Sequence, residues 1–543
     1  MKKSLWIVLL LIAITIILGW PQTRYKPMCA DCGWAVIAAV GEPPSIMPAL
    51  VQETVGRDIG DQIFEKLANL APGKPPIDTK AYVPALAGRW ARVDSLSWRF
   101  HLRPGARWHD GHPVTSDDVA FSFEVFSDTM VGSPASYSLA GRVRVVPEDS
   151  TTFLVRFTEP FPEQFYDATY HVRILPKHIW QTLPRNGWAA DTVLGRLVGS
   201  GPYRIEEWKR GEHLSITADT SYPSRPGLRR ILWRFTSDPD AALNLVLSDK
   251  FSALETVGTP DRAKRVAADS NLNLVTYPSA AYGFLAFNFA AKGGKDAHPI
   301  LGDRQTRRGL ALAVDRPRLA RAVFGPDAKA PPGPMSQLLW IWTDSIAQPT
   351  YSPGEAARVL TAAGWRRDPA TGVLQRNGRA LSFDILVPST SSTRRQLAEA
   401  LQEMWRAAGV RTTITTVDFA VFQERLGQGR FDAYMGAYLD EPSPRGLKDQ
   451  WSQSGWGALN YGRYANPSFD SLLTAASRAA DVESARSLWR QAMDTLNADA
   501  PALFLYAPAH RAAIPKEFGR VTIDPYSWLH TLPEWRWVSL AER

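Results

Sequence analysis

An α/β fold is what this sequence predicts, and three observations carry the prediction. Strand-like and helix-like segments alternate from one end of the chain to the other, which argues against an all-helical or all-β unit. The length of 543 residues is too great for one hydrophobic core and implies roughly two to four domains. The composition, 45% hydrophobic and 21% charged, is that of a chain that packs cores rather than one that stays disordered. The net charge of +8 raises nucleic acid as a partner, but Lys and Arg are scattered among Asp and Glu. Basic runs are isolated pairs such as Arg307-Arg308 and Arg366-Arg367, so a solvated basic surface is expected and no nucleic acid.

The elements follow in order. Met1-Lys2-Lys3 is a positive flank to the apolar run Leu5 to Leu18 (LWIVLLLIAITIIL), the pattern of a secretory signal or a short membrane anchor. As a helix that run reaches only about 20–25 Å, short of a hydrocarbon core of about 30 Å, and Gly19 and Trp20 extend it toward the interface. No small-x-small cleavage site follows at once, so both readings stay open; in either, the bulk of the protein is exported. Both cysteines lie just beyond, in MCADC (Cys29, Cys32). Lys26 and Met28 stand where a lipidation site has small and branched apolar residues, and no βαβ unit follows to make a redox motif. A local disulfide in an oxidising compartment is the expectation.

Trp34 to Val40 (WAVIAAV) reads as a buried strand ended by GEPPS, and Asp58 to Asn69 (DIGDQIFEKLAN) as a helix with Ile59, Ile63 and Leu67 on one face. Short strands follow in SLSWRFHLR (95–103), TTFLVRFTEP (151–160) and, after the turn GSGP, YRIEEW (203–208). In the second half, Ser352-Pro353-Gly354-Glu355 is a capping box with Pro at the first helical position. Thr393 to Gly409 places Leu397, Leu401, Met404 and Trp405 on one face, ends at glycine and leads into the strand VRTTITTV. Asn466-Pro467 and Asp481 start two more helices, whose aromatic and methionine stripes read as core. No repeat and no low-complexity tract is visible.

The stretch RPGARWHDGHPVTSDDVAFSFE (103–124) holds His109, Asp110 and His112, which raises a metal site. A zinc centre needs three or four converging ligands, and Gly111 and Pro113 forbid the helix that would stack the two histidines. Asp110-Gly111 is instead a tight-turn pair, and Thr115 to Asp118 supplies an N-cap and early acidic residues for a helix through Val119, Phe123 and Phe126. The expectation is scaffold, with no metal and no cofactor.

The same region, RWARVDSLSWRFHLRPGARWHDGHPVTSDDVAFSFE, resembles the signature of the family 5 extracellular solute-binding proteins, receptors for peptides and related solutes serving ATP-binding-cassette importers. The resemblance continues in order through GSGPYRIEEWKRGEHLSI (199–216), FLAFNFA (284–290), DRQTRRGLALAVDRPRLARAVFG (303–325), FDAYMGAYLDEPSP (431–444) and LNYGRYANPSFDSLL (459–473), covering most of residues 35–540. It implies an α/β, two-lobed periplasmic-binding-protein type II fold with an extra embedded domain. Residues 1–34 are then signal or anchor and linker. Residues 35–66, 195–280 and 497–543 form the first lobe, 67–194 the embedded domain and 281–496 the second lobe. A closing interlobe cleft buries most of a small ligand with a few directed polar groups.

The resemblance also implies site residues. In peptide-binding relatives an aspartate after the late strand pairs with the peptide α-ammonium, and Asp440 in YLDEPSP matches it. A carboxylate there, shielded by Tyr438 and Pro442, makes a charge-assisted bond when desolvated, and Tyr438 and Leu439 are expected to bind the ligand with it. The plainer alternative is a turn cap before proline. Arg394, after VPSTSS, stands where relatives present a cation to a ligand carboxylate. Gln52, in PSIMPALVQET, stands where the first lobe touches the ligand. Trp456 either stacks on a ligand side chain or fills the lobe's edge. The family's second acidic residue in the YLDEPSP run is replaced by Ser443.

The implied function is capture of oligopeptides outside the cytoplasm, as a monomer, for permease subunits of an ABC importer, without catalysis. Relatives that bind nickel complexes, opines or oligosaccharides keep a non-peptide ligand open. An exported hydrolase is disfavoured by the lack of G-x-S-x-G, H-E-x-x-H or a paired nucleophile and base. A transcription regulator carrying this module is disfavoured by the apolar export segment.

Overall fold

The computed structural model describes residues 33–51, 53–190 and 193–538. The expectations for the N-terminal apolar run, for Cys29 and Cys32 and for Gln52 lie outside the described residues. Among these residues, no helix is long and apolar enough to cross a membrane.

Three larger sheets organise the chain. The first has seven strands in the order Leu272–Pro278, Ala509–Pro515, Ser252–Leu254, Trp34–Val40, Arg230–Thr236, His213–Ala218, Tyr203–Lys209. Trp34–Val40 lies in its middle, parallel to both neighbours, and six of its seven residues are buried. A strand covered on both faces has no polar side to show, which is why WAVIAAV lacks alternation. The second sheet has five strands, Arg411–Val417, Ser382–Pro388, Ala433–Leu439, Ala281–Phe287 and Ala502–Tyr506. It splits the residues of Ala281–Phe287 between two cores: Leu285 and Phe287 face one, Phe284 and Ala286 the other, as the two-residue period of a strand requires. A four-stranded antiparallel sheet, Ala87–Arg92, Ser97–Leu102, Thr152–Phe157 and Val143–Pro147, lies within residues 67–194. Its buried side chains are continuous with those of the first sheet, in one shared core.

Most of the expected helices form where local signals place them. Ser352 caps Pro353–Ala362, Ser391 caps Ser392–Ala407, Asn466 caps Pro467–Arg478 and Asp481 caps Val482–Asp499, each side chain accepting a first-turn amide. Two expectations are corrected. The early helix spans Thr54–Ile63, not 58–69. Its next turn is lost to tertiary partners. The Ile63 carbonyl accepts from the Gly201 amide at 2.8 Å. Glu65 is held by Arg103 at 2.6 Å, and Ala68–Leu70 becomes a strand against Tyr82–Pro84. A side chain at Gly199 would collide with that same Ile63 carbonyl, so the GSGP turn needs its first glycine for close approach. The second correction is the last lobe boundary. Ala502–Tyr506 pairs with Ala281–Phe287 in the second sheet, so the chain returns to the first sheet between Tyr506 and Ala509 rather than near 497.

Candidate functional site

The His-Asp-Gly-His segment is a turn: Gly111, at φ 91°, donates to the Trp108 carbonyl at 2.9 Å, and Trp108 donates to the His112 carbonyl at 2.8 Å. His109 clamps the GSGP turn, its Nδ1 accepting from the Gly199 amide at 3.2 Å and its Nε2 donating to the Gly201 carbonyl at 3.0 Å. Burial lowers its pKa, in keeping with a neutral ring that needs one donor and one acceptor nitrogen. Asp110 also has partners the local sequence did not reveal. Its carboxylate meets His178 Nε2 at 2.7 Å and His112 Nδ1 at 3.2 Å. The three side chains bring one ligand atom each within 4.8 Å of the others, all exposed. Hydrogen bonding accounts for the cluster, and His178 reaches it from 68 residues away.

A cleft of about 1720 Å³ lies elsewhere, where the three sheets' loops converge. One wall carries Arg57, Glu255, His510 and Tyr526; residues 67–194 contribute Glu159, Phe161, Tyr170 and His171; the second sheet contributes Leu439, Asp440 and the loop beyond. Asp440 follows directly on the strand Ala433–Leu439, and its amide donates to the Ala280 carbonyl at 2.8 Å, next to the point where the chain passes between the two sheets. The Ser336 amide donates to its Oδ2 at 2.5 Å. Burial pushes the Asp440 pKa up to about 7; the Ser336 bond opposes that shift, and among the described residues no cationic neighbour offsets it. A carboxylate so placed gains from any ligand cation that reaches it.

The other sequence-derived candidates separate. Leu439 points into the cleft and is 74% exposed. Tyr438, its neighbour on the opposite face, packs 5.1 Å from Phe284 and donates to the Leu459 carbonyl at 2.7 Å, bracing the strand end rather than lining the cleft. Arg394 sits in the first turn of its helix with its guanidinium toward the buried Tyr506 hydroxyl, away from the cleft lining. The Trp456 indole donates to the Tyr464 carbonyl at 2.9 Å and is also absent from the lining.

A contact across the cleft was not visible in the sequence. Arg445, in the loop after Asp440, pairs with Glu163 at 2.5 Å and with Asp167 through both terminal nitrogens, while Ser443 Oγ donates to Glu163 Oε2 at 2.6 Å. Both acid side chains are almost wholly buried. Burial works to raise the Asp167 pKa, but Arg445 and His171 overcome it and hold the carboxyl below its usual range. For Glu163 burial wins and the pKa rises; for Arg445 the two acids outweigh burial and the guanidinium stays charged. The one available signal was PFPEQFYDAT, where acids at i and i+4 sit among aromatic residues, Glu163 just before and Asp167 within the short helix Gln164–Thr169.

Two α/β lobes with a cleft at their chain crossings define a solute-binding protein. The chain belongs to the bacterial extracellular solute-binding proteins, family 5, whose middle section matches residues 81–458. It is 24% identical to the oligopeptide-binding protein AppA of Bacillus subtilis over 514 residues, 93% of this chain and 91% of that one. It is similar in fold to the structure of AppA in complex with a nonapeptide, with TM-score 0.72, 22% identity and coverage of 93% and 99%. It is also similar to NikZ of Campylobacter jejuni in complex with Ni(L-His), with TM-score 0.74, 22% identity and coverage of 94% and 100%.

Proposed function

We propose that this chain is the extracytoplasmic receptor of a peptide importer. It captures short peptides in the interlobe cleft, as a monomer, and presents them to ABC permease subunits without covalent chemistry. The apolar run at residues 5–18 directs export and, if retained, tethers the receptor to the membrane. Asp440 carries the reading: a desolvated carboxylate at the chain crossing, held by the Ser336 amide and lacking a cation among the described residues, fits a peptide α-ammonium. The similarity to AppA supports a peptide rather than a metal chelate as ligand.

Thermal unfolding with di- to pentapeptides tests it. Stabilisation should grow with the logarithm of peptide concentration, by about 2.7 kcal/mol at a hundred times Kd. No shift with any peptide, and a shift with nickel–histidine, an opine or an oligosaccharide, would reassign the ligand.

A further inference from the structure

His178 supplies what the segment from His109 to His112 lacks. The sequence argument against a metal was that Gly111 and Pro113 keep His109 and His112 off one helix face, and His109 is spent on the Gly199–Gly201 turn. The fold assembles a different trio. Asp110, His112 and His178 each offer one ligand atom within 4.8 Å of the other two. The Asp110 carboxylate stands 2.7 Å from His178 Nε2 and 3.2 Å from His112 Nδ1, and the two imidazole rings are tilted by 36° with centres 4.5 Å apart. Ligand atoms bound to one tetrahedral zinc at about 2.0–2.1 Å lie about 3.3–3.4 Å from each other. Small side-chain rotations therefore bring all three onto one ion. In the ion-free chain hydrogen bonds hold the trio; to ligate, each ring carries its proton on its other nitrogen, a tautomer change that leaves both rings neutral.

The backbone under the trio is fixed on both sides. Arg107 and Pro113 form a bridge across the turn, the Arg107 guanidinium donates to the Gly111 carbonyl at 2.9 Å, and Trp108 is buried beneath. The His112 amide donates to Asp110 Oδ1 at 3.1 Å, a bond of the kind that orients a ligating carboxylate. Opposite, the Lys177 amide donates to Asp118 Oδ1 at 2.9 Å and Trp180 is buried, which pins the short helix Lys177–Trp180 that carries His178. Lys177, the neighbour of His178, has its charge balanced by Asp117 at 3.7 Å. Two anchored segments thus present three exposed donors to one point, so little ordering is left for an ion to impose.

We propose that Asp110, His112 and His178 form a binding site for a divalent transition cation of the zinc class. Two imidazoles and a carboxylate are donors that such ions favour, and one carboxylate is too few oxygens for calcium or magnesium. None of the three lines the large cleft, so the site is separate from the solute site. Its effect is to tie the 107–113 turn to the helix at Lys177–Trp180, with water completing the coordination.

Calorimetric titration and thermal unfolding of the full chain with zinc chloride provide the test, with magnesium chloride as control. Both use a background carrying Cys29→Ser and Cys32→Ser, because those two thiols would take zinc themselves. Zinc should bind and raise the melting temperature in proportion to the logarithm of its concentration, and magnesium should not. His112→Ala and His178→Ala should each weaken zinc by about tenfold or more. The His112 side chain is 63% exposed, so that variant folds whatever becomes of the other, and metal-free melting checks both. Loss of zinc affinity in every variant that folds upholds the site. No zinc binding by the parent, an affinity unchanged in a folded histidine variant, or equal stabilisation by magnesium overturns it. None of these outcomes bears on peptide capture in the cleft.

Discussion

Asp110 and Asp440 are both aspartates at the end of an extended segment, and the protein treats them in opposite ways. Asp110 has two imidazoles and the His112 amide around it, and these hydrogen bonds outweigh burial to hold its pKa below the usual carboxylate range. Asp440 has the Ser336 amide and, among the described residues, no cation that offsets its burial, which carries its pKa up to about 7. A carboxylate whose partners all come from its own chain belongs to the scaffold. One desolvated without a cation, at the edge of a large cleft, is poised for a partner from outside. Arg445 is an intermediate case: its partners are internal, but they lie on the other side of the cleft.

That third case offers the strongest way to break the comparison. Arg445→Ala strands Glu163 and Asp167, at a cost of about 3–5 kcal/mol to the closed arrangement. We expect small-angle scattering of the ligand-free protein to show a larger radius of gyration, because opening lets water reach both acids. An unchanged radius and melting temperature would mean that the contact does not hold the lobes together. Asp440→Asn is next. It should weaken peptides with free amino termini by about 2–5 kcal/mol and leave N-acetylated peptides unaffected in calorimetric titration. Equal loss for both would show that Asp440 is a cap rather than an ammonium partner.

The pH dependence sharpens the same point. The folded pKa of Asp440 is raised, so from about pH 4 to 7 the free receptor holds a proton that an ammonium ligand must displace. Affinity for free-amino peptides should therefore rise with pH, by about tenfold per unit below 7, and level off above it. Calorimetry below pH 7 in buffers of different ionisation enthalpy should detect proton release on binding. The raised pKa also makes the ionised carboxylate a stability cost, absent at low pH and complete above 7, so ligand-free Asp440→Asn should melt higher than the parent at pH 8. The smallest effect belongs to the scaffold aspartate. Asp110→Asn should cost about 1 kcal/mol or less, as for other exposed charged pairs, with peptide affinity unchanged.

Much of the framework was legible in the sequence because the signals involved are local. A central strand shows itself as an unbroken apolar run, as Trp34–Val40 does. Helix starts show themselves as Ser, Asn or Asp before the first turn, because the side chain that caps the helix is only two or three residues from the amides it satisfies. The turn at Asp110-Gly111 and the cap at Thr115 to Asp118 were local signals of this kind, whereas the bonds of His109 to Gly199 and Gly201 were not. Asp440 was singled out by its match to the aspartate that follows the late strand in peptide-binding relatives, but nothing in YLDEPSP shows that Ser336 would be its donor.

The sequence by itself determined the α/β alternation, the capped helices and the strand ends, since each is decided by side chains a few residues apart. Only the tertiary structure decided where the first helix stops, because the Ile63 carbonyl is taken by Gly201, and to which sheet Ala502–Tyr506 belongs. It alone brought Arg445 to Glu163 and Asp167 and left Arg394 and Trp456 out of the cleft lining. Apolar periodicity states which face of an element must be buried; it carries no information about which distant charge will meet it there, and in a cleft built from chain crossings those distant meetings decide what can bind.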